Sequence, residues 1–124
     1  YYGDEAGMEG WEDPFNRACY PWGREDTELK AWFARLARLR QDRPALQSGQ
    51  LHWRWTSGPI LAFARELNGQ LLTTVINAAD TPQSLTLPWS GAAPRDLLTG
   101  AVLSPADNVL SLTLLPHQGL LLES

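Results

Sequence analysis

The first 24 residues of this 124-residue chain hold most of the side chains that are suited to chemistry. Carboxylates and a guanidinium group that can hydrogen-bond hydroxyls occur there beside aromatic rings that can stack on a sugar ring. The residues are Tyr1, Tyr2, Asp4, Glu5, Glu9, Trp11, Glu12, Asp13, Phe15, Arg17, Tyr20 and Trp22. This mixture suits carbohydrate binding, although composition alone favours a simpler interpretation, a solvated acidic loop whose aromatic residues pack against a barrel.

The most specific spacing in this segment is Asp13-Pro14-Phe15-Asn16-Arg17. Pro14 fixes its own φ and biases Asp13 towards an extended conformation. A turn here would bring the Asp13 carboxylate and the Arg17 guanidinium to one side of the loop. The two groups would then either form a bidentate salt bridge that shapes the loop or hold sugar hydroxyls together. The spacing favours neither alternative.

Other titratable residues are weaker candidates. A glycosidase needs two carboxyl groups about 5–5.5 Å or 6.5–9.5 Å apart. Asp4 and Glu5 are adjacent, and adjacent residues of an extended segment point to opposite sides, so we expect them to anchor the loop. Cys19 has no neighbouring base that would make it a nucleophile. No metal-ligand spacing surrounds His52, which we expect on a strand face, or His117, which we expect in a turn.

Composition excludes several classes of function. Ten basic and fourteen acidic residues give a net charge of −4, which argues against nucleic acid and anionic membranes as partners. A single cysteine excludes an internal disulfide framework and a multi-thiolate zinc site. No apolar run approaches the roughly 18–20 residues of a membrane span. The chain opens on Tyr1-Tyr2-Gly3-Asp4, without an initiator Met, and we expect it to be a C-terminal fragment.

Two zones of different pattern follow one another, with a boundary near Gln47-Ser48-Gly49. Glycines and prolines predict a long loop over residues 1–24. A helix is predicted over residues 27–41, with Asp26 as N-cap and Pro44 as the stop. Its apolar stripe consists of Leu29, Trp32, Phe33, Leu36 and Leu39. We expect part of this stripe to face a neighbour outside the chain.

After Gly49 the pattern has period two and is broken by turns every 8–12 residues. Asn68-Gly69 between two strand-like runs is a strong hairpin signal. Seven or eight short strands of this kind predict an antiparallel sandwich or barrel. Trp53, Trp55 and Trp89 within it would suit the sugar-stacking platform of a carbohydrate-binding module, although such residues more often lie in a core or at a domain interface.

Four motifs in order give the chain a resemblance to a known family. They are Tyr1-Tyr2-Gly3-Asp4-Glu5-Ala6-Gly7-Met8-Glu9-Gly10, Asp13-Pro14-Phe15-Asn16-Arg17, Tyr20-Pro21-Trp22, and the helix segment Leu36-Ala37-Arg38-Leu39-Arg40 together with Pro44-Ala45-Leu46, which follows the helix. They resemble the C-terminal portion of the alpha-amylase family of glycoside hydrolases, in particular its neopullulanase, cyclomaltodextrinase and maltogenic amylase group. The resemblance covers residues 1–49 strongly and the rest in pattern only.

The resemblance implies a mainly β chain, an antiparallel Greek-key β-sandwich called domain C after the last loop and helix of a (β/α)₈ barrel. Residues 1–46 would end the catalytic barrel, and residues 47–124 would form the sandwich. Asp13 and Arg17 would be substrate-binding residues that contact glucose units on the non-reducing side of the cleaved bond. Asp4 and Glu5 would be structural.

It also implies an enzyme that hydrolyses α-glucosidic bonds in α-glucans, maltooligosaccharides or cyclodextrins by a retaining mechanism. The family's three catalytic carboxylates would precede Tyr1, so no residue of this chain would be catalytic and the chain alone would be inactive. No cofactor or metal is expected here, while calcium in the parent enzyme and a homodimeric parent are left open. The free cysteine and the resemblance to the neopullulanase group favour a cytoplasmic location for the protein. The alternative is a carbohydrate-binding or interaction module without catalysis, and cyclodextrin, pullulan, starch and trehalose-type sugars all remain open as substrates.

Overall fold

Two units with different secondary structure make up the chain. The computed structural model describes every residue from 1 to 124, and it divides into Tyr1–Arg43 and Pro44–Ser124. The first unit holds a short 3₁₀ helix, Asp4–Ala6, and helix α1, Thr27–Gln41. The second holds helix α2, Pro44–Ser48, and all seven strands. None of the helices combines the length and the apolar character that a membrane span requires.

Helix α1 forms where the period of the apolar residues predicted it. Asp26 is its N-cap, because its carboxylate accepts the backbone N–H of Leu29 at 2.9 Å. Arg38 and Arg40 lie in the last turn, where they complement the helix dipole. No residue of α1 is buried, and the large apolar residues Trp32, Phe33 and Leu36 are all exposed. The predicted apolar stripe is therefore uncovered at these three residues, whereas Leu29 and Leu39 are half-buried.

The seven strands form two antiparallel sheets, which confirms the predicted sandwich. They are β1 (Gln50–Trp55), β2 (Ile60–Leu67), β3 (Gln70–Asn77), β4 (Gln83–Pro88), β5 (Arg95–Asp96), β6 (Val109–Leu114) and β7 (Gly119–Glu123). One sheet has the order β1-β2-β3-β7-β5, and the other pairs β4 with β6. The chain leaves the first sheet after β3, returns for β5, leaves again for β6, and ends with β7 between β3 and β5.

The core lies between the two sheets and is built from alternate residues of the strands. Its members are Ile60, Ala62, Val75, Leu85, Leu87, Trp89, Leu110, Leu112, Leu114 and Leu122. On β4 and β6 the intervening positions are exposed, so each of these strands has one apolar and one polar face. This is the period-two pattern on which the prediction depended.

Helix α2 was not predicted. Because it belongs to the second unit, that unit begins at Pro44, a few residues before the change in sequence pattern near Gln47-Ser48-Gly49. Pro44 ends α1 as predicted, but it also begins α2, since proline is well tolerated in the first turn. Ala45 in α2 is fully buried, and its backbone N–H donates to Gln70 Oε1 on β3. A Cβ at Gly49 would lie 2.5 Å from the Ala45 carbonyl oxygen, so only glycine fits between α2 and β1.

A hairpin turn and a buried carboxylate shape two connections in the second unit. Asn68 and Gly69 both have positive φ, 51° and 82°, as the predicted two-residue hairpin turn requires. Strand β5 has only two residues, Arg95–Asp96, and the buried Asp96 carboxylate takes over the backbone donors that follow it. It accepts the N–H groups of Leu98, Thr99 and Leu121 and the Thr99 hydroxyl.

Candidate functional site

Asp13 and Arg17 are brought together by a turn, as the spacing predicts. The backbone N–H of Phe15 donates to the Glu12 carbonyl at 2.9 Å, and that of Arg17 donates to the Pro14 carbonyl at 3.2 Å. Arg17 Nε then donates to Asp13 Oδ1 at 2.7 Å. The contact joins one nitrogen to one oxygen, so the pair is not bidentate.

This ion pair is open to solvent. The side chain of Arg17 is 58% exposed and that of Asp13 is 64% exposed. An exposed pair of this kind contributes only about 0–1 kcal/mol to the free energy of unfolding. The second carboxylate oxygen of Asp13 and the terminal nitrogens of Arg17 remain available to a ligand. The pair is therefore better suited to presenting hydrogen-bonding groups than to stabilising the loop.

Tyr1 is a second partner of Arg17. The guanidinium carbon lies 5.2 Å from the centre of the Tyr1 ring, within the range of a cation–π contact. Tyr1 in turn meets Tyr2 edge to face, with ring centres 5.8 Å apart. Sequence reasoning identified these aromatic residues only as possible sugar-stacking groups. Nothing in the spacing points to a contact between residues so far apart in a loop.

Gly10 fixes the path of the loop behind the ion pair. A Cβ at this position would lie 2.9 Å from the Cα of Asn16, inside the distance at which two carbon atoms pack. The chain segment before the turn thus passes against the backbone of the segment that carries Arg17. Asn16 lies at the centre of this approach, and its side-chain oxygen is buried without a hydrogen-bond partner.

Asp4 and Glu5 lie on the 3₁₀ helix, so the expectation of an extended segment at this point is wrong. Gly3 and Gly7 flank the helix with φ values of 86° and 71°, a backbone region that glycine adopts without strain. The segment is anchored through its backbone, because the Ala6 carbonyl accepts the N–H of Asp26 at 3.1 Å. The two carboxylates take no part in that anchor.

A charged contact ties residues 20–25 to α1. Lys30 Nζ lies 3.2 Å from Glu25 Oε1 and 5.7 Å from the centre of the Tyr20 ring. The backbone N–H of Glu25 and then the Lys30 ammonium hold the pKa of the Glu25 carboxyl below its usual value. The hydrogen bonds that Lys30 donates to Glu25 and then to Tyr20 raise the pKa of Lys30. This contact fixes the C-terminal end of the loop that carries Arg17.

The remaining titratable candidates are dispersed over the surface. His52 lies on strand β1, with Nε2 3.6 Å from Glu66 Oε2. His117 lies in the turn before β7 and contacts Asp80 at 2.9 Å. Cys19 is an exposed free thiol. No three histidine, cysteine or carboxylate side chains of the chain converge in a way that could hold a metal ion.

The three tryptophans of the sandwich have different surroundings. Trp89 is only 5% exposed and donates its indole N–H to the Ala92 carbonyl, so for this residue the core position that the sequence analysis favoured over a sugar-stacking platform is confirmed. It packs in the core between the sheets. Trp53 is 60% exposed and meets Phe63 edge to face. Trp55 is 36% exposed and has no aromatic partner.

The helix and the two-sheet antiparallel sandwich after it match the C-terminal domain of alpha-amylase-family glycoside hydrolases. The family model described as Maltogenic Amylase, C-terminal domain, matches residues 56–121, more than half of the chain. The chain belongs to that family.

Known proteins extend the likeness to both units. An amylopullulanase from Thermoanaerobacter thermohydrosulfuricus is 34% identical over 122 residues, which cover 86% of this chain and 8% of that protein. Neopullulanase 2 from Thermoactinomyces vulgaris is 33% identical over 130 residues, which cover 98% of this chain and 22% of that protein. The crystal structure of an Anoxybacillus alpha-amylase superposes with a TM-score of 0.89 and 26% identity, over 99% of this chain and 28% of that one. The chain thus spans less than a quarter of the length of these curated relatives.

Proposed function

We propose that this chain is the C-terminal part of an enzyme that hydrolyses α-glucosidic bonds in α-glucans or cyclodextrins with retention of configuration. The family match and the amylopullulanase and neopullulanase among its relatives support this assignment. The observation that carries it within the chain is the exposed ion pair of Asp13 and Arg17. Asp13 and Arg17 contact glucose units of the substrate, and the sandwich is a structural domain.

The chemistry of the pair matches such a substrate. A glucose unit is neutral, and its hydroxyls both donate and accept hydrogen bonds. Asp13 offers an acceptor and Arg17 offers donors, so together they can bind adjacent hydroxyls while their charges compensate each other. Because each ion keeps its partner, covering the pair with a sugar does not leave a buried charge unpaired.

The reacting carboxylates of the proposed mechanism lie outside this chain. A retaining glycosidase places its two carboxyl groups about 5–5.5 Å apart on either side of the bond. Asp4 and Glu5 are neighbours on one short helix, and Asp13 already pairs with Arg17, so none of these carboxylates is assigned to bond cleavage. The chain alone therefore hydrolyses no α-glucan.

The test compares this polypeptide with the intact parent enzyme. Both are incubated with maltooligosaccharides, a cyclodextrin and pullulan, and the reducing ends and the anomeric form of the first product are measured. The parent should release α-configured products from at least one of these substrates, while the chain alone releases none. Turnover by the chain alone, or inversion by the parent, contradicts the proposal.

The uncovered stripe of α1 favours one further role for the chain. Trp32, Phe33 and Leu36 together expose a large apolar area, which a folded protein normally covers. In the parent enzyme this stripe packs against the barrel from which α1 comes. An interaction module that uses the same stripe to bind a second protein is the alternative, and the two differ in whether the intact parent leaves the stripe accessible to solvent.

A further inference from the structure

A β-bulge near the end of β1 changes the position of Trp55. Trp53 pairs with Phe63, but Trp55 pairs with Ala62, so the register shifts by one residue between them. Without the bulge Trp55 would be paired with Leu61, and the regular alternation would place it on the same face as Trp53. The bulge therefore places Trp55 opposite Ala62 instead of Leu61, while Trp53 and Trp55 both still line a cavity at this end of β1.

One hydrogen bond joins the bulged end of β1 to the second sheet, and another fixes Trp55 within its own turn. Arg54 Nη2 donates to the carbonyl of Pro88, at the end of β4, over 2.6 Å. The indole N–H of Trp55 donates to the Ser57 carbonyl at 3.1 Å. The orientation of Trp55 is thus fixed by its own turn, and its single donor is already used. What the ring offers to a ligand is its apolar surface.

Trp55 borders a groove on the outer face of β4 and β6, with a cavity of about 320 Å³. The other lining residues are Ser84, Leu85, Thr86, Ser111, Leu112 and Thr113. Leu85 and Leu112 belong to the core, so the exposed lining residues besides Trp55 are the four that carry hydroxyls. The hydroxyls lie in two cross-strand pairs, Ser84 with Thr113 and Thr86 with Ser111.

Only one of the two hydroxyl pairs is hydrogen-bonded within the protein. Ser84 Oγ and Thr113 Oγ1 are 3.0 Å apart and bond to each other. The hydroxyls of Thr86 and Ser111 have no hydrogen-bond partner in the protein, and both residues are exposed. An exposed hydroxyl is satisfied by water, and a ligand can take the place of that water only if it brings its own donors or acceptors.

The lining restricts the class of ligand. No charged side chain lines the groove, so an anionic or cationic ligand would find no counter-charge. A purely apolar ligand would leave the hydroxyls of Thr86 and Ser111 without a partner. A pyranose ring has an apolar C–H face for Trp55 and hydroxyls for the strands. The groove therefore fits a neutral sugar chain better than a charged ligand or an apolar peptide.

We propose that the groove between Trp55 and the hydroxyls of Thr86 and Ser111 binds a short segment of α-glucan. The existence of a sugar site rests on the groove, whereas the choice of an α-linked glucan rests on the proposed function. A segment bound here would hold a polymeric substrate near the parent enzyme and raise its effective concentration, with no effect on the cleavage of short oligosaccharides.

Binding is measured first on this chain, by calorimetry with maltoheptaose and, as the control ligand, a β-linked cello-oligosaccharide. Two sets of variants are compared with the wild type. Trp55→Ala removes the ring, while Thr86→Val with Ser111→Ala removes the free hydroxyls and keeps the strand faces intact. Trp53→Ala is the matched control on the other side of the bulge.

We expect saturable binding of maltoheptaose, a Kd raised about tenfold or more by either set of groove changes, and an unchanged Kd in Trp53→Ala. The absence of binding at millimolar sugar overturns the proposal. So does binding that is lost only in Trp53→Ala, or binding of the cello-oligosaccharide with equal affinity. A change in sedimentation of the Thr86→Val/Ser111→Ala variant without a change in sugar affinity would assign the groove to a protein contact instead and also overturn it.

A second measurement separates this inference from the proposed function. In the parent enzyme, Thr86→Val with Ser111→Ala should raise KM for starch and leave kcat/KM for maltotriose unchanged. If the parent cleaves no glucan but the chain binds maltoheptaose, the proposed function fails and the sugar site stands. If the parent cleaves both substrates equally well with and without the two changes, the enzyme assignment stands and the tethering role of the groove fails.

Discussion

Arg17 donates its Nε–H to Asp13 Oδ1 over 2.7 Å while its guanidinium lies 5.2 Å from the centre of the Tyr1 ring. Two contacts thus restrain a side chain that would otherwise sample many rotamers, and they leave its terminal N–H groups free. The entropy of ordering an arginine is about 1.5–2 kcal/mol, so restraint before binding favours affinity. This arrangement is what we expect of a group that positions a substrate.

The first prediction concerns the two members of this pair. In the parent enzyme, Asp13→Ala or Arg17→Ala should lower kcat/KM by an amount equivalent to about 1–3 kcal/mol, because each change removes a charged hydrogen bond to the sugar and leaves the other ion unpaired. Glu9→Ala is the control, since Glu9 is an exposed acid of the same loop without a partner. Unchanged kcat/KM in both variants would remove the substrate role of the pair.

The second prediction concerns the pH dependence of the contact between Glu25 and Lys30. The pKa of Glu25 is lowered in the folded state from its ordinary 4.5, so its contribution to the free energy of unfolding is fully present above that pH and is lost as the pH falls through the folded-state pKa. The Tm difference between wild type and Glu25→Gln should therefore be constant near neutral pH and vanish in acid.

In alkaline solution the contribution of Lys30 to the free energy of unfolding depends on pH in the opposite direction. The pKa of Lys30 is raised from 10.5, so its contribution is present below that pH and is lost as the pH rises through the folded-state pKa. Lys30→Met should abolish the alkaline dependence and only reduce the acid dependence, because the backbone N–H of Glu25 lowers the pKa of its carboxyl more than Lys30 does. A Tm difference that stays the same from acid to neutral pH would show that the ion pair does not stabilise the fold.

The third prediction concerns the buried carboxylate of Asp96, which is 1% exposed and accepts four hydrogen bonds. Asp96→Ala leaves the N–H groups of Thr99 and Leu121 without an acceptor and should lower the free energy of unfolding by about 3–5 kcal/mol. Asp96→Asn keeps one acceptor oxygen and should cost less. Urea unfolding followed by circular dichroism measures both.

The control for Asp96 is Asp80→Ala. Asp80 is an exposed carboxylate whose only partner is His117 at the surface, so its removal should change the free energy of unfolding by less than about 1 kcal/mol. Equal losses for Asp80→Ala and Asp96→Ala would contradict the anchoring role that the structure gives to Asp96.

The fourth prediction concerns the uncovered stripe of α1. The isolated chain should self-associate in a concentration-dependent way, because Trp32, Phe33 and Leu36 are exposed. Leu36→Glu should suppress this association, whereas Ala34→Glu, on the opposite face of the helix, should not. Sedimentation velocity over a range of concentrations gives the answer, and a chain that stays monomeric at high concentration would refute the idea that the stripe needs a cover.

The elements that could be predicted are those whose signals repeat along the chain. The stripe of α1 recurs five times at helical spacing, and Asp26 marks its start, so its bounds follow from the sequence. The Asn68-Gly69 turn is specified by two residues that tolerate positive φ. Helix α2 has only five residues, too few for any periodicity, and Pro44 signals the end of one helix as well as the start of the next.

In the site, too, contacts between residues close in sequence could be predicted, whereas contacts between residues far apart in sequence could not. Arg17 follows Asp13 by four residues with a proline between them, so a turn that joins them could be expected from the sequence. The contact of Arg17 with Tyr1 and the close approach of Gly10 to Asn16 depend on how the loop folds back on itself. The burial of Trp89 and the bulge before Trp55 are tertiary effects of the same kind, because they are set by packing between the sheets.

Cys19 has a practical consequence. It is the single thiol of the chain, it is exposed, and it follows Arg17 by two positions. A maleimide dye would therefore label one defined point beside the Asp13 turn without any prior mutagenesis. The arrival of a sugar could then be followed optically in real time, independently of the tryptophans of the sandwich.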